Sequence, residues 1–414
     1  MSVIHPFKGL RPRPNVAAVV ASPPYDVLSS EEARALVKDN PNSFLRVNKP
    51  EVDFEPGIST YSDEVYMRGK ANLQRLVDEG IMLRDNQPCF YLYRLTWKGQ
   101  SQTGLVALTS CAEYDQGKIK KHEHTLPVKV SDRADHIQKV AAQVGPVFSI
   151  FRDNQDIETT FAGITTTPAE YDFTSDEGVR HEMWVINDTG TINALVAAFG
   201  ELDAIYIADG HHRSAAASEV ARRMKEQNPN HTGNEHYNFF LNVIFPDSEL
   251  RILPYNRVIK GLNGMTVDEL MARLKDAFDV DSLSEPLEPE EPYCFGFLCR
   301  GKWYRLTAKP GTFDAKHPAN SINSAVLTAN LLKPVLGIED IRTNKNIDFI
   351  GGIRGIKELE KLVKSGEYDL AFSLYPVTVA QLLAVADAGE VMPPKSTWFE
   401  PKLRSGMVVN MLDE

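Results

Sequence analysis

The run Ala204-Ile-Tyr-Ile-Ala-Asp-Gly-His-His-Arg213 holds the densest group of side chains able to do chemistry. An apolar stretch of strand-favouring residues stops at Asp209-Gly210. Two histidines and an arginine follow at once, and Ser214-Ala-Ala-Ala-Ser-Glu-Val-Ala-Arg-Arg223 then reads as a helix. The order predicts a strand, a tight turn and a helix N-terminus. Unsatisfied backbone N–H groups and the positive end of the helix dipole make such a place an anion site. Gly210 would let the backbone approach a ligand with no Cβ in the way. Arg213 offers a planar fork for phosphate or carboxylate. His211 and His212 can donate to phosphate, carry protons or bind metal. Asp209 can hold a magnesium ion or orient a histidine. An ordinary Asp-Gly turn that caps a helix is the competing reading. It leaves the adjacent histidines and the flanking charge pair unexplained.

Five further groups stand out. Lys120-Lys-His-Glu-His-Thr125 gathers amines, imidazoles and a carboxylate. In an extended stretch His122 and His124 share one face and Glu123 the other, whereas a loop lets them converge. Here Glu123 is the candidate general base toward a substrate hydroxyl, with His122 beside it and Lys121 as a phosphate ligand. Asp132-Arg133 follows, Asp132 as a magnesium ligand and Arg133 for phosphate. The spacing is not that of a His-Glu-x-x-His zinc site. Pro23-Pro-Tyr-Asp26 is a stiff segment that presents Tyr25 and Asp26 to a substrate amine or a metal, or simply turns the chain. In Leu253-Pro-Tyr-Asn-Arg257, Asn256 and Arg257 suit a carboxylate or phosphate, or a linker arginine pairs with an acid. Lys395-Ser-Thr-Trp-Phe-Glu-Pro-Lys402 has two amines and two hydroxyls beside an aromatic pair; Lys395, Ser396 and Thr397 suit a phosphate held by a loop stiffened by Pro393, Pro394 and Pro401. The competing role is a strap that packs Trp398 and Phe399. Gly351-Gly-Ile-Arg-Gly355 matches neither a Walker A loop nor a dinucleotide fingerprint and reads as a helix entry.

These groups need elements to hold them. Val16–Ser22 reads as a buried strand broken by Pro23-Pro24, and Ser29–Val37 as a capped helix. Residues 61–80 carry helical spacing and end on Gly80. Cys89–Trp97 and Thr103–Ala112 predict a hairpin. Asp132–Val144 and Thr191–Phe199 read as helices. Pro146–Arg152, His181–Asn187, Ala204–Ala208 and Tyr237–Pro246 read as strands. The pattern restarts after Arg257: a helix at 267–278, an acidic proline-rich loop at 284–292, a hairpin over 293–307, a helix at 326–332, a strand at 347–352, a helix from Ile356, a strand from Asp369 and a helix at 379–385. Strands and helices mixed with hairpins predict an α+β, mixed-sheet α/β fold rather than a purely parallel sheet. The expected division is a core domain at 1–250, a smaller α+β domain at 251–390, and a strap at 391–414 that returns to the site.

The chain has 414 residues, a formal net charge of −11 and no basic stripe. That balance counts against nucleic-acid binding. No secretory signal and no run of membrane-spanning length is present, so neither a membrane nor a secreted location is expected. Four cysteines, Cys89, Cys111, Cys294 and Cys299, match no zinc framework and read as buried thiols in a reducing compartment, the cytoplasm. An acidic protein of this size commonly forms a homodimer.

Asp209-Gly-His-His-Arg213 resembles the signature of one branch of the ParB/sulfiredoxin superfamily, which includes kinases of free serine and nucleotide-binding regulators. Five segments together resemble the domain-of-unknown-function 1015 family of bacterial and archaeal proteins. They are Pro23–Asp26, Lys121–Thr125 with Asp132-Arg133, Asp209–Arg213, Leu253–Arg257 and Met392–Lys402. The resemblance covers nearly the whole chain and implies a ParB/sulfiredoxin-like core. The Asp209–Arg213 turn alone, through its likeness to that superfamily branch, implies a nucleotide-dependent phosphotransferase acting on a small hydroxylated metabolite, free serine first, with ATP or ADP and Mg2+. Gly210, His211, His212 and Arg213 would cradle phosphates. Asp209 and His211 would take part in the chemistry. A nucleotide- or phosphometabolite-binding regulator with little turnover is the second reading. A metal-dependent hydrolase using His122, His124, His211 and His212 is the third.

Overall fold

The computed structural model describes residues 3–413. The chain packs as two units. Of the described residues, one takes 3–121, 125–250 and 401–413; the other takes 122–124 and 251–400.

The first unit is built from β1 (Ile4–His5), α1 (Ala17–Val20), α2 (Ser30–Val37), α3 (Asp63–Asp78), β2 (Phe90–Trp97), β3 (Gln100–Ser110), β4 (Ile119–Lys120), α4 (Pro127–Val140), β5 (Val147–Phe151), β6 (Tyr171–Thr174), β7 (Arg180–Ile186), α5 (Thr189–Gly200), β8 (Ile205–Asp209), α6 (His211–Gln227) and β9 (Phe239–Pro246). Its nine-stranded sheet runs β4-β8-β5-β9-β3-β2-β7-β6, with β1 also paired to β3. The pairs β4–β8 and β5–β9 are parallel and the others antiparallel, so the sheet is mixed. The β2–β3 hairpin closes through Lys98 and Gly99, both at positive φ (50° and 77°), the twist that a two-residue hairpin loop requires. Phe151, Phe199, Ile205, Ile207 and Ile244 are completely buried together under the sheet. Each such side chain contributes about 1.5–3 kcal/mol relative to exposure.

Helix ends follow their local chemistry. Ser29 and Glu32 form a reciprocal capping box on α2, and Pro127 occupies the first turn of α4, where a missing N–H costs nothing. The expected strand at 16–22 is instead the four-residue helix α1, entered through a 3-10 turn that starts at Pro14. Pro14 presets helical φ, and prolines at 23 and 24 stop extension. Only Ser22 finds a ladder partner, an isolated bridge to Ser405.

The second unit contains β10 (Tyr255–Ile259), α7 (Val267–Leu274), β11 (Phe278–Leu283), β12 (Cys294–Cys299), β13 (Lys302–Ala308), β14 (Ile347–Gly351), α8 (Gly355–Lys364), β15 (Leu370–Leu374) and α9 (Val379–Asp387). Its six strands run β11-β13-β12-β15-β10-β14, every pair antiparallel. Thr266 with Glu269 and Thr378 with Gln381 cap α7 and α9 reciprocally. Leu270, Phe295, Phe297, Leu306, Leu331 and Phe372 form a dry core beside the sheet. The fold is therefore mixed α/β in one unit and antiparallel with helices in the other. All four cysteines are buried and free. Among the described residues no helix is long and apolar enough to cross a membrane.

Candidate functional site

Strand β8 delivers its last residue, Asp209, through a bulge: Ile207 faces Ser149 on β5 while Asp209 faces Phe148. Such an extra residue bends a strand and re-aims the side chain beyond it. Gly210 then sits at φ 98°, ψ 27° and starts α6 with no side-chain cap. A Cβ at Gly210 would lie 3.1 Å from the Arg213 guanidinium carbon, so both conformation and space call for glycine. The sequence thus brings a carboxylate and an uncapped helix N-terminus to one corner.

Two cations flank the Asp209 carboxylate. Arg213 Nη2 lies 3.3 Å and Lys402 Nζ 3.4 Å from Oδ2. Arg213 is almost wholly buried. Its Nη1 donates to the Pro146 carbonyl, Asp26 lies 3.9 Å from Nη2, and Nε has no partner among the described residues. Burial works against its charge, but Asp26 and Asp209 outweigh that and hold its pKa above the ordinary value. The fork expected to reach a ligand therefore ties a strand end, a loop carbonyl and Asp26 together.

The two histidines part company. His211 is buried, and Ser214 Oγ donates to its backbone carbonyl at 3.1 Å. His212 is half-buried, and its Nε2 accepts the Leu126 N–H at 3.1 Å. That acceptor role assigns the proton to Nδ1 and lets His212 serve the residue that precedes α4. Lys121 lies with Nζ 4.1 Å from the centre of the Tyr114 ring.

Arg133 is stacked 4.4 Å above the Tyr25 ring and donates from Nε to Asp132 at 2.7 Å. Asp132 also accepts the Tyr66 hydroxyl at 2.7 Å, so both carboxylate oxygens are engaged. Burial, then the neighbouring Asp26, push the Tyr25 phenol well above its usual pKa and keep it protonated. Tyr25, Asn48, Arg133, His136, Gln143 and Arg213 border a cavity of about 30 Å3, room for one or two waters. In this unit the structure gathers Tyr25, Asp26, Asp132, Arg133, Asp209, Gly210 and Arg213. Sequence reasoning missed the Pro146 carbonyl and gave Lys402, the second amine of the 395–402 segment, no role of its own. Lys402 closes the segment that begins at Met392, and its position there was the only available signal.

His122, Glu123, Asn256, Arg257, Lys395, Ser396 and Thr397 belong to the second unit. The carbonyl of buried His122 accepts the Met392 N–H at 2.8 Å, which places the 122–124 segment against the 392–397 loop. Ser396 Oγ meets Ser324 Oγ at 2.7 Å, and Asn256 Oδ1 accepts the Leu374 N–H at 3.0 Å. Lys395 takes a positive φ of 58° and lies 5.6 Å from the Tyr255 ring centre. Among the described residues no three or more His, Cys, Asp or Glu side chains gather as a metal site.

The sequence profile described as "Protein of unknown function (DUF1015)" matches residues 4–331. No curated protein matches the chain. Three solved structures are similar over most of its length. A free serine kinase in complex with AMP is 14% identical, covering 71% of this chain and 86% of its own at a TM-score of 0.38. A conserved hypothetical protein from Pyrococcus furiosus is 16% identical, with 74% and 96% covered and a TM-score of 0.38. SbnI with a C-terminal truncation, from Staphylococcus aureus, is 11% identical, with 72% and 85% covered and a TM-score of 0.39.

Proposed function

The chain belongs to the DUF1015 family, and from its Asp209–Arg213 turn we propose a nucleotide-dependent phosphotransferase that acts on a small hydroxylated metabolite, with free serine the first candidate. One observation carries the reading: the Asp209 carboxylate is held between Lys402 and Arg213 where an uncapped helix begins on left-handed Gly210. A nucleotide phosphate would take the N–H groups of that helix start, and Lys402 would turn from Asp209 to the added charge. Phosphoryl transfer asks mainly for positioning and charge compensation, which this corner can supply.

Asp209 fits a magnesium ion as a single carboxylate ligand, since magnesium is commonly held by one or two carboxylates together with the phosphates themselves. When bound, the ion would offset charge on the transferring group. Glu123 is the proposed base for the hydroxyl proton, with His122 beside it. Lys121, Arg133, Lys395, Ser396 and Thr397 are the further proposed phosphate ligands, and Tyr25, Asp26, Asn256 and Arg257 the proposed substrate ligands. The protein would work as a cytoplasmic homodimer on small molecules, without nucleic acid or membrane.

The buried, internally committed Arg213 favours a second reading, a nucleotide-binding regulator with little turnover. Titration calorimetry with ADP and ATP, with and without magnesium, followed by a serine phosphorylation assay, tests both. Nucleotide binding with turnover supports the kinase. Binding without turnover supports the regulator. No binding overturns both.

A further inference from the structure

Arg257 on β10 is 1% exposed, the largest fully buried side chain among the described residues. Its guanidinium donates to two backbone carbonyls, Tyr255 O at 2.6 Å and Pro394 O at 3.4 Å, and lies 4.6 Å from the centre of the Phe349 ring. No carboxylate among the described residues pairs with it. Every other strongly buried arginine named above, Arg133 and Arg213, has at least one. A charge taken out of water is normally matched by an opposite charge, because carbonyl dipoles and a ring face replace only part of its hydration. The groups around the guanidinium are only half-buried: Tyr255, Phe349 and Pro394 each reach the surface.

We propose that Arg257 is the buried anchor of an oxyanion site in the second unit, completed by a carboxylate or phosphate group of a small ligand held between β10 and the 393–396 loop. The planar fork has five N–H groups, and a bidentate oxyanion fits those that the two carbonyls leave. Burial already presses the guanidinium down to about 9, which a bound anion would reverse. Lys395, next in sequence to the carbonyl that Arg257 holds, adds positive potential at the loop. The inference deepens the substrate-ligand role proposed above for Arg257 and rests on that reading in this one respect; its test leaves nucleotide out, so that its failure and the failure of the phosphotransferase reading are distinguishable.

The full chain is titrated with sodium phosphate and, separately, sodium acetate, each against sodium chloride at matched ionic strength. Arg257 is followed through its guanidinium 15N–1H signal, and the thermal midpoint is recorded in parallel. A saturable shift and a raised midpoint with one or both oxyanions support the site; the arm that responds says whether phosphate or carboxylate occupies it. Arg257→Lys, which keeps the charge and loses the fork, is expected to weaken that response at least tenfold, and Arg257→Met to abolish it. A signal that moves no more with phosphate and acetate than with chloride overturns the proposal. So does an oxyanion response that survives intact in Arg257→Met. Should the Met variant fail to fold, the wild-type signal and the Lys variant still decide.

Discussion

Lys402 and Asp209 form an ion pair, Nζ to Oδ2 at 3.4 Å, across 193 residues of sequence. The carboxylate at the start of α6 is thus shared between a side chain of its own helix, Arg213, and one from a distant segment. Replacing Lys402 by Met separates these two contributions. The pair is partly exposed, so stability should fall by only about 0.5–1 kcal/mol. Nucleotide affinity should fall roughly tenfold or more, because the amine is a proposed phosphate ligand. Chemical denaturation and calorimetry measure the two effects, and unchanged nucleotide affinity would remove Lys402 from the site.

Arg213→Ala should act on the fold before it acts on a ligand. The change takes its donor from the Pro146 carbonyl and leaves the part-exposed Asp209 to Lys402, which should cost about 1–3 kcal/mol. The expected outcome in urea titration is a drop in midpoint. A variant as stable as the parent would show that the internal contacts of Arg213 matter little.

Gly210→Ala places a side chain at φ 98° and against the Arg213 guanidinium. Left-handed backbone and the contact together should cost about 1–3 kcal/mol. Gly117→Ala, at φ 74° with nothing near the added Cβ, separates the two terms. Equal losses in both variants would assign the whole effect to backbone and none to contact.

Two buried histidines make stability depend on pH. Burial lowers His136 and His181 to about 3 each. His136 Nε2 bonds the Val47 carbonyl at 2.9 Å, and His181 lies stacked between Tyr93 and Phe173. Both are neutral in the fold, while the unfolded chain binds a proton at each near pH 6.5. Their contribution is fully present above pH 6.5 and is lost as pH falls toward 3. Within that window each adds a slope of about 1.4 kcal/mol per pH unit. Denaturation of the parent and of His136→Gln with His181→Gln, between pH 7 and 4.5, should show the flatter slope in the double variant. Equal slopes would mean that neither histidine is the titrating group.

Glu123→Gln tests the proposed base. A kinase should keep nucleotide binding and lose serine phosphorylation by about a hundredfold or more. Turnover at the parent rate would exclude Glu123 as the base.

The strand–turn–helix at 205–227 was legible because an apolar run, an Asp-Gly pair and an alanine-rich helix leave no other local solution. Helix α1 was not legible. Ala-Ala-Val-Val has strand propensity, but the prolines around it decide its backbone, and no neighbouring strand accepts it. The site divides in the same way. Residue types at 209–213 singled out the turn proposed to bind an anion, yet the task of Arg213 depends on Pro146 and Asp26, which are remote in sequence. Lys402 stood out as an amine of the 395–402 segment, but its pairing with Asp209, 193 residues away, emerged only from the fold. Asp132 and Arg133 appeared as ligands, and their mutual ion pair with the Tyr66 hydrogen bond emerged only from the fold.

The first unit takes its last described strip of chain, residues 401–413, from beyond the whole of the second. That strip carries Lys402 to Asp209, bridges Ser405 to Ser22 and pairs Asn410 with Gln143. During synthesis, therefore, the Asp209 corner stays unfinished until Lys402 has left the ribosome, after the whole of residues 251–400. A ribosome that stalls inside the second unit would release a protein lacking one of the two cations on Asp209. The ordering ties the second cation on Asp209 to translation through residue 402.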